Sequence, residues 1–377
     1  MSVFAHPFLD FVRFSLQPNA EIPSSAFRVS WHEMLETAKK QSIVGVCWQG
    51  VQRLGGMKEN KPTDDDVMEW MGEARKLVKR NQTVNQKAAW VYGNFNKEGF
   101  NACVLKGQGN AMLYPNSSMR TPGDIDIWVI SQAFKKGDDY EKCIRKTISY
   151  CKELKPNGRA VYHHVDFRKA GDVEVEVHYR PSWMNNPVNN RRIQRWFLEH
   201  AEACMSNRKV FANGAILESE FAIPTWDFNV IFQLSHIFKH LLQEGIGLRQ
   251  LIDYYYLLAN RPKEASTKDI QKTIKRLGLA PIAGALMWIM ENVFGLDEQL
   301  LVYKPNRKTG VFMMNEVLES GNFGRFDERR MSGSYRSPIM KNLQRLVRDV
   351  RMVGYFPSEC VWEPWFRIYH YFWRRRH

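Results

Sequence analysis

Two aspartates, Asp124 and Asp126, stand two apart in the run Asp124-Ile125-Asp126-Ile127-Trp128-Val129. On a β-strand that spacing sends both carboxylates out of one face, while Ile125, Ile127 and Val129 point the other way, into a core. Like charges side by side on a strand face repel. The arrangement becomes favourable once divalent cations neutralise them, and a hard ion such as Mg²⁺ takes oxygen ligands, commonly one or two carboxylates plus substrate phosphates. The chemistry this permits is in-line phosphoryl or nucleotidyl transfer, with one ion activating the attacking oxygen and another steadying the leaving phosphate.

A third carboxylate lies downstream. Gly171-Asp172 separates two period-2 runs, Val161 to Phe167 and Val173 to Tyr179, which predicts a β-hairpin. On its second arm Glu174, Glu176 and His178 alternate with Val173, Val175 and Val177. If the hairpin lies beside the aspartate strand, Glu176 completes a triad of acids, with Glu174 a solvated neighbour. Upstream, Asn101 to Leu105 is a predicted strand that delivers Lys106 and Gly107. Taken alone, D-x-D is an ordinary feature of a solvated edge strand, Lys106-Gly107 is only a turn, and Glu176 is only a surface charge. Their order and spacing, with Arg120 just ahead of the aspartates, favour a metal site.

Leu105-Lys106-Gly107, Leu113-Tyr114-Pro115, Arg120-x-x-Gly123-Asp124-Ile125-Asp126-Ile127 and Val175-Glu176-Val177-His178-Tyr179 together resemble the polymerase-beta-like nucleotidyltransferase superfamily. More narrowly they are similar to a bacterial family of uncharacterised nucleotidyltransferases. The likeness spans roughly residues 88–185. Gly107-Gln108 stands where Gly-Ser or Gly-Gly is usual, and the gap to Asp124 is longer than usual. The resemblance implies transfer of a nucleoside monophosphate from an NTP to a hydroxyl or phosphate, with pyrophosphate released. Asp124, Asp126 and Glu176 would hold Mg²⁺ or Mn²⁺, and Glu176 would also serve as general base. Lys106, Gly107, Gln108 and Arg120 would contact the triphosphate. His178 would orient a carboxylate or touch a phosphate, and Arg249 would face the nucleotide from a later helix. Arg249 and Asp253 are also spaced for an ion pair.

The elements that position these residues give an α+β fold: a small mixed β-sheet core over 88–210, a helical region over 1–87 and a helical domain with a basic aromatic tail over 211–377. Ser30 to Glu33 is a capping box opening a helix through Lys40, and Pro62-Thr63-Asp64 opens a long one whose apolar stripe runs to Phe95 before Gly99. Lys76, Lys79 and Arg80 on it are expected to be solvated. Further helices are predicted at Asp138 to Leu154, Trp226 to Gln243, Leu248 to Leu258, Ser266 to Leu277, Pro281 to Phe294 and Ile339 to Val353, the last with a Lys341, Arg345, Arg348 stripe. Asn229, Gln233, His236 and His240 form the polar face of Trp226 to Gln243, turned to water or to the cleft. The His236/His240 spacing lacks the glutamate and third ligand of a zinc helix. A mobile basic loop is expected over 325–337, and the tail from Trp362 to Arg376 is expected to dock on the helical domain.

The 377 residues allow two or three packed regions. Six scattered cysteines show no zinc or disulfide spacing and are expected to be reduced. No run is long and apolar enough to span a bilayer and no leader pattern opens the chain, so a cytoplasmic location is expected. The charge of +14 favours an anionic partner at the basic C-terminal region and does not choose which. Three classes of function remain open: transfer to a small molecule, transfer to RNA or protein as in toxin–antitoxin pairs, and catalytically silent binding of a nucleotide or partner. Arg180 and the cluster Arg191, Arg192 and Arg195 could serve either kind of acceptor.

Overall fold

The computed structural model describes residues 6–56, 59–135, 137–212, 218–324, 327, 329 and 338–377. Along the chain run α1 (Pro7–Leu16), α2 (Trp31–Lys40), α3 (Val44–Val51), α4 (Asp64–Lys97), β1 (Phe100–Val104), α5 (Gln108–Ala111), β2 (Ile125–Ser131), α6 (Tyr140–Leu154), β3 (His164–Ala170) and β4 (Val173–His178). There follow α7 (Pro187–Glu199), α8 (Ala201–Ser206), β5 (Arg208–Ala212), β6 (Glu218–Ala222), α9 (Trp226–Gln243), α10 (Leu248–Ala259) and α11 (Thr267–Arg276). The chain ends with α12 (Ala280–Asn292), α13 (Arg307–Ser320), α14 (Pro338–Met352) and α15 (Pro357–Arg376). The fold is α+β, as expected. Two compact units form: residues 1–79, 116–121 and 237–357, and residues 80–115, 122–236 and 358–377.

The second unit contains the sheet, in the order β1-β2-β4-β3, with β2 and β4 parallel and both outer pairs antiparallel. Strand alternation sorts the side chains by face. Ile125, Ile127 and Val129 join Val173, Val175, Val177, Val165 and Phe167 in one buried cluster. The later turns of α4 (Val84, Ala88, Val91, Phe95) and α6 (Ile144, Ile148, Cys151) cover that face. The helical stripe of α4 is therefore spent on the sheet, as its period predicts. On the other face Trp128 stacks on Phe228 of α9, with ring centroids 5.5 Å apart. Arg80 pairs with Asp172 at the β3–β4 turn and is not a free solvated cation.

The tail, expected on the helical domain, docks instead on this second unit as helix α15. Phe366 and Trp373 enter the same core, and Phe366 stacks on Trp183 at 5.9 Å. One expectation needs correction: past residue 210 the chain does not return directly to helix, because β5 and β6 pair as an antiparallel ribbon, with Phe211 stacked on Phe221 at 3.9 Å. Two five-residue strands carry too short an alternation to stand out in sequence.

The first unit is helical. Ser30 caps α2 by accepting from the Glu33 N–H at 3.3 Å, and Thr63 and Asp66 cap α4 reciprocally, at 3.1 and 2.9 Å. The expected basic stripe on α14 is not a free one. Arg348 is buried, 4.0 Å from Asp327, and donates to the Glu244 carbonyl, while Leu346, Val347 and Val350 are exposed. The Lys341 side chain lies outside the described residues, as does most of the basic stretch 325–337.

Candidate active site

Two rows of side chains cross the polar face of the sheet. In the first, Asp126 of β2 lies opposite Glu176 of β4, which lies opposite Asp166 of β3. In the next row, Trp128 is paired with His178 and His178 with His164. The parallel β2–β4 pairing thus does what the sequence pattern requires, setting Glu176 beside the aspartate strand. Asp124 sits one residue ahead of β2, and its charge acts on both Lys106 and Glu176. Among the described residues, Asp126, Glu176 and His178 place one donor atom each within 4.8 Å of the others.

Asp126 is 1% exposed and is held between two cations. His178 Nε2 lies 2.9 Å from its Oδ1, and Lys106 Nζ lies 3.1 Å from its Oδ2. Each carboxylate oxygen of Asp126 thus has its own cationic partner. Glu176 Oε2 is 3.1 Å from His164 Nδ1 and 3.5 Å from His178 Nε2. Burial pushes both carboxyls up, yet Lys106 and His178 hold Asp126 below its ordinary value, and His178 and His164 hold Glu176 down at about 2. The reverse holds for the cations. Burial pulls Lys106 and His178 down, and the surrounding carboxylates raise both above their ordinary values.

Gly107 ends the strand-to-helix turn with φ +67° and ψ −107°, a conformation that a side chain strongly disfavours. That turn carries Lys106 back onto Asp126. It carries Gln108 elsewhere: its amide is buried and donates to Asn85, with Asn81 at 3.4 Å. From α9, Asn229 and Gln233 donate to Asn110 Oδ1 at 3.1 Å each, and His236 Nε2 lies 3.5 Å from Lys106 Nζ. The polar face of α9 over these residues therefore faces the Lys106 turn, not water.

Arg120 and Arg249 belong to the first unit. Arg120 is buried and pairs with Asp253 through Nε and Nη2, both at 2.7 Å, and Arg249 donates to the Thr121 carbonyl at 3.3 Å. Asp253, expected to pair with Arg249, thus receives Arg120 in a bidentate geometry. His164 and Asp166, next to Glu176, were not anticipated. They alternate with Val165 and Phe167 on the first hairpin arm, the same period-2 signal that marks Glu176 and His178 on the second.

The donor set fits a divalent ion. Oxygen donors converge from two strands, with the buried Asp126 carboxylate in register with Glu176 and one donor atom of each within 4.8 Å of the other. A family model described as uncharacterised nucleotidyltransferase matches residues 28–295. The chain belongs to that family. Comparison with curated proteins and with solved structures returns no match. The nucleotidyltransferase match spans the whole second-unit sheet and α10, and so includes every candidate residue above.

Elsewhere in the second unit a cavity of about 1480 Å³ is lined by α7, α8 and the Trp362/Trp365/Tyr369 side of α15. That exceeds the ~300–1,000 Å³ of an ordinary small-ligand site. Its arginines, Arg180, Arg191, Arg195 and Arg208, are matched by Asp138, Glu141, Glu199 and Glu202, and Arg180 is already paired with Glu141. Among the described residues no helix is long and apolar enough to cross a membrane.

Proposed function

We propose that the protein is a metal-dependent nucleotidyltransferase that moves an NMP group from an NTP to an acceptor hydroxyl or phosphate and releases pyrophosphate. The observation that carries this is the in-register pair Asp126 and Glu176 on parallel strands, with Lys106 and Asp124 at the same edge. Asp124, Asp126 and Glu176 are the proposed ligands of Mg²⁺ or Mn²⁺. Bound there, the ion neutralises phosphate charge and lowers the pKa of the attacking hydroxyl. Lys106 supplies a fixed positive charge for the leaving phosphates, and Gly107 admits phosphate close to the backbone. Glu176 is proposed to bind and orient the ion nearest the acceptor and to help remove the acceptor's proton. The region 88–210 is the proposed catalytic core.

A silent relative is the second reading. It is favoured by Lys106 and His178, which already neutralise Asp126, and by Gln108, whose side chain is turned into an amide cluster. Transfer of label from each α-labelled NTP into fractionated extract, with Mg²⁺ or Mn²⁺, separates the two. Labelling by wild type and not by Asp124→Ala/Asp126→Ala supports transfer. NTP binding without labelling supports the silent reading, and neither one removes the nucleotide site altogether.

A further inference from the structure

Magnesium chemistry accounts for the carboxylates but not for the histidines beside them. His163 lies in the bend ahead of β3, its carbonyl accepting from the N–H groups of Tyr179 and Arg180 at 3.0 and 3.1 Å. That clamp sets it next to the His164–His178 cross-strand pair, and one nitrogen from each of the three imidazoles lies within 4.8 Å of the others. His163 Nε2 is 2.9 Å from His164 Nδ1. His164 Nδ1 is 3.1 Å from Glu176 Oε2, which is 3.5 Å from His178 Nε2. Four donors bonded tetrahedrally at ~2.0–2.1 Å stand about 3.3 Å apart. Three of the six separations in such a site, 2.9, 3.1 and 3.5 Å, bracket that edge.

The outward-facing nitrogens of His164 and His178 fit the same chemistry. A metal-bound histidine normally directs its second ring nitrogen at a carboxylate or backbone carbonyl, which fixes tautomer and orientation. His164 Nε2 lies 3.6 Å from Asp166 Oδ1, and His178 Nδ1 lies 3.4 Å from the Arg180 carbonyl. Three imidazoles and one carboxylate suit Zn²⁺ and its transition-metal neighbours, whereas Mg²⁺ and Ca²⁺ prefer oxygen alone.

We propose that His163, His164 and His178 together with Glu176 form a nitrogen-rich binding site for a borderline transition-metal ion such as Zn²⁺. It shares Glu176 with the carboxylate site but rests on the histidine geometry, not on nucleotidyl transfer.

The test uses the full chain, stripped with chelator and titrated with Co²⁺ alone as a coloured stand-in for Zn²⁺. One equivalent should bind with the visible d–d absorption of a four-coordinate ion, persisting in excess Mg²⁺ and in Asp124→Asn. His163→Asn and His164→Asn should each weaken binding on the order of 100-fold or more. X-ray absorption at the Zn edge of the wild-type complex needs no variant and should count three imidazoles. An octahedral spectrum, displacement by equimolar Mg²⁺, or at most one imidazole around the ion would overturn the site. Magnesium-supported label transfer by chelator-stripped protein is scored separately, so either idea can fail alone.

Discussion

Asp124 and Asp126 carry the same charge in different surroundings, and their substitutions should differ accordingly. Asp126 is enclosed, with His178 and Lys106 against it. Removing it leaves two poorly solvated cations, and breaking a buried pair of this kind costs roughly 3–5 kcal/mol. Asp124 is only half-buried. Both alanine variants should lose transfer by at least about 100-fold, the rate equivalent of an ion's several kcal/mol. Only Asp126→Ala should also lower the melting temperature markedly. Equal melting temperatures would mean that Lys106 and His178 do not depend on Asp126. The same cluster predicts a pH signature in chelator. Burial pulls His178 down and its carboxylates raise it above 6.5, so its stabilising contribution is complete below pH 6.5 and is lost as pH rises through the folded value. Burial raises Glu176 and the histidines more than reverse this, from 4.5 to about 2, so its contribution is complete above pH 4.5 and is lost toward pH 2. His178→Gln should therefore be most destabilising between pH 4.5 and 6.5, with a deficit that shrinks above 6.5. Melting curves across that range check it, and a deficit independent of pH would mean that His178 acts as a neutral group.

At the scale of elements, the turn from β1 into α5 delivers Lys106, and Gly107 makes that turn. A Cβ there would meet only the Asp124 carbonyl oxygen, at 3.6 Å, so Gly107→Ala is opposed by its backbone conformation and not by a clash. The expected cost is about 1–3 kcal/mol, together with loss of transfer as Lys106 leaves Asp126. Gly171→Ala, at φ +68° in the β3–β4 turn, meets only the flexible Lys87 side chain at 3.4 Å. It should cost roughly 1–2 kcal/mol and leave transfer intact. Denaturation and labelling assays on both variants distinguish a catalytic turn from a merely strained one. The contrast also shows what the sequence makes legible. Period-2 runs around Gly171-Asp172 specify the hairpin, and the caps at Ser30 and Thr63 fix two helix starts, because these signals are local. The partners of Gln108 and Arg120 are not legible in the sequence, because proximity along the chain does not determine direction in space. Gln108 turns toward α4, and residues 116–121 leave the sheet for the first unit, where Arg120 finds Asp253. Which strand lies beside which is likewise decided by tertiary pairing, so Glu176 could be nominated only as a conditional ligand.

Across the whole molecule the surplus of 54 basic over 40 acidic residues invites an anionic partner, and the question is where it would land. The cavity beside α7 and α8 offers a polyanion no surplus of positive charge, since four arginines and four acids line it. Arg348 of α14 is buried against Asp327. A smaller cavity of about 330 Å³ differs: Lys152, Arg159, Arg374, Arg375 and His377 line it with no acid among them. Arg375 sits over the Tyr371 ring at 4.5 Å, and Lys152 donates to the His377 carbonyl at 2.6 Å, so part of this group is already ordered. If single-stranded RNA binds, counterion release should show which group it uses, since each phosphate contact to a single strand contributes about 0.7 to the slope of log affinity against log salt. Arg374→Ser/Arg375→Ser should therefore reduce that slope by roughly 1.4, while Arg191→Ser/Arg195→Ser should leave it unchanged. Fluorescence titration of a labelled homopolymer at several salt concentrations makes the comparison. Equal reductions in both pairs would mean that the charge acts as a diffuse field, and a slope near zero for wild type would confine the anionic partner to the nucleotide.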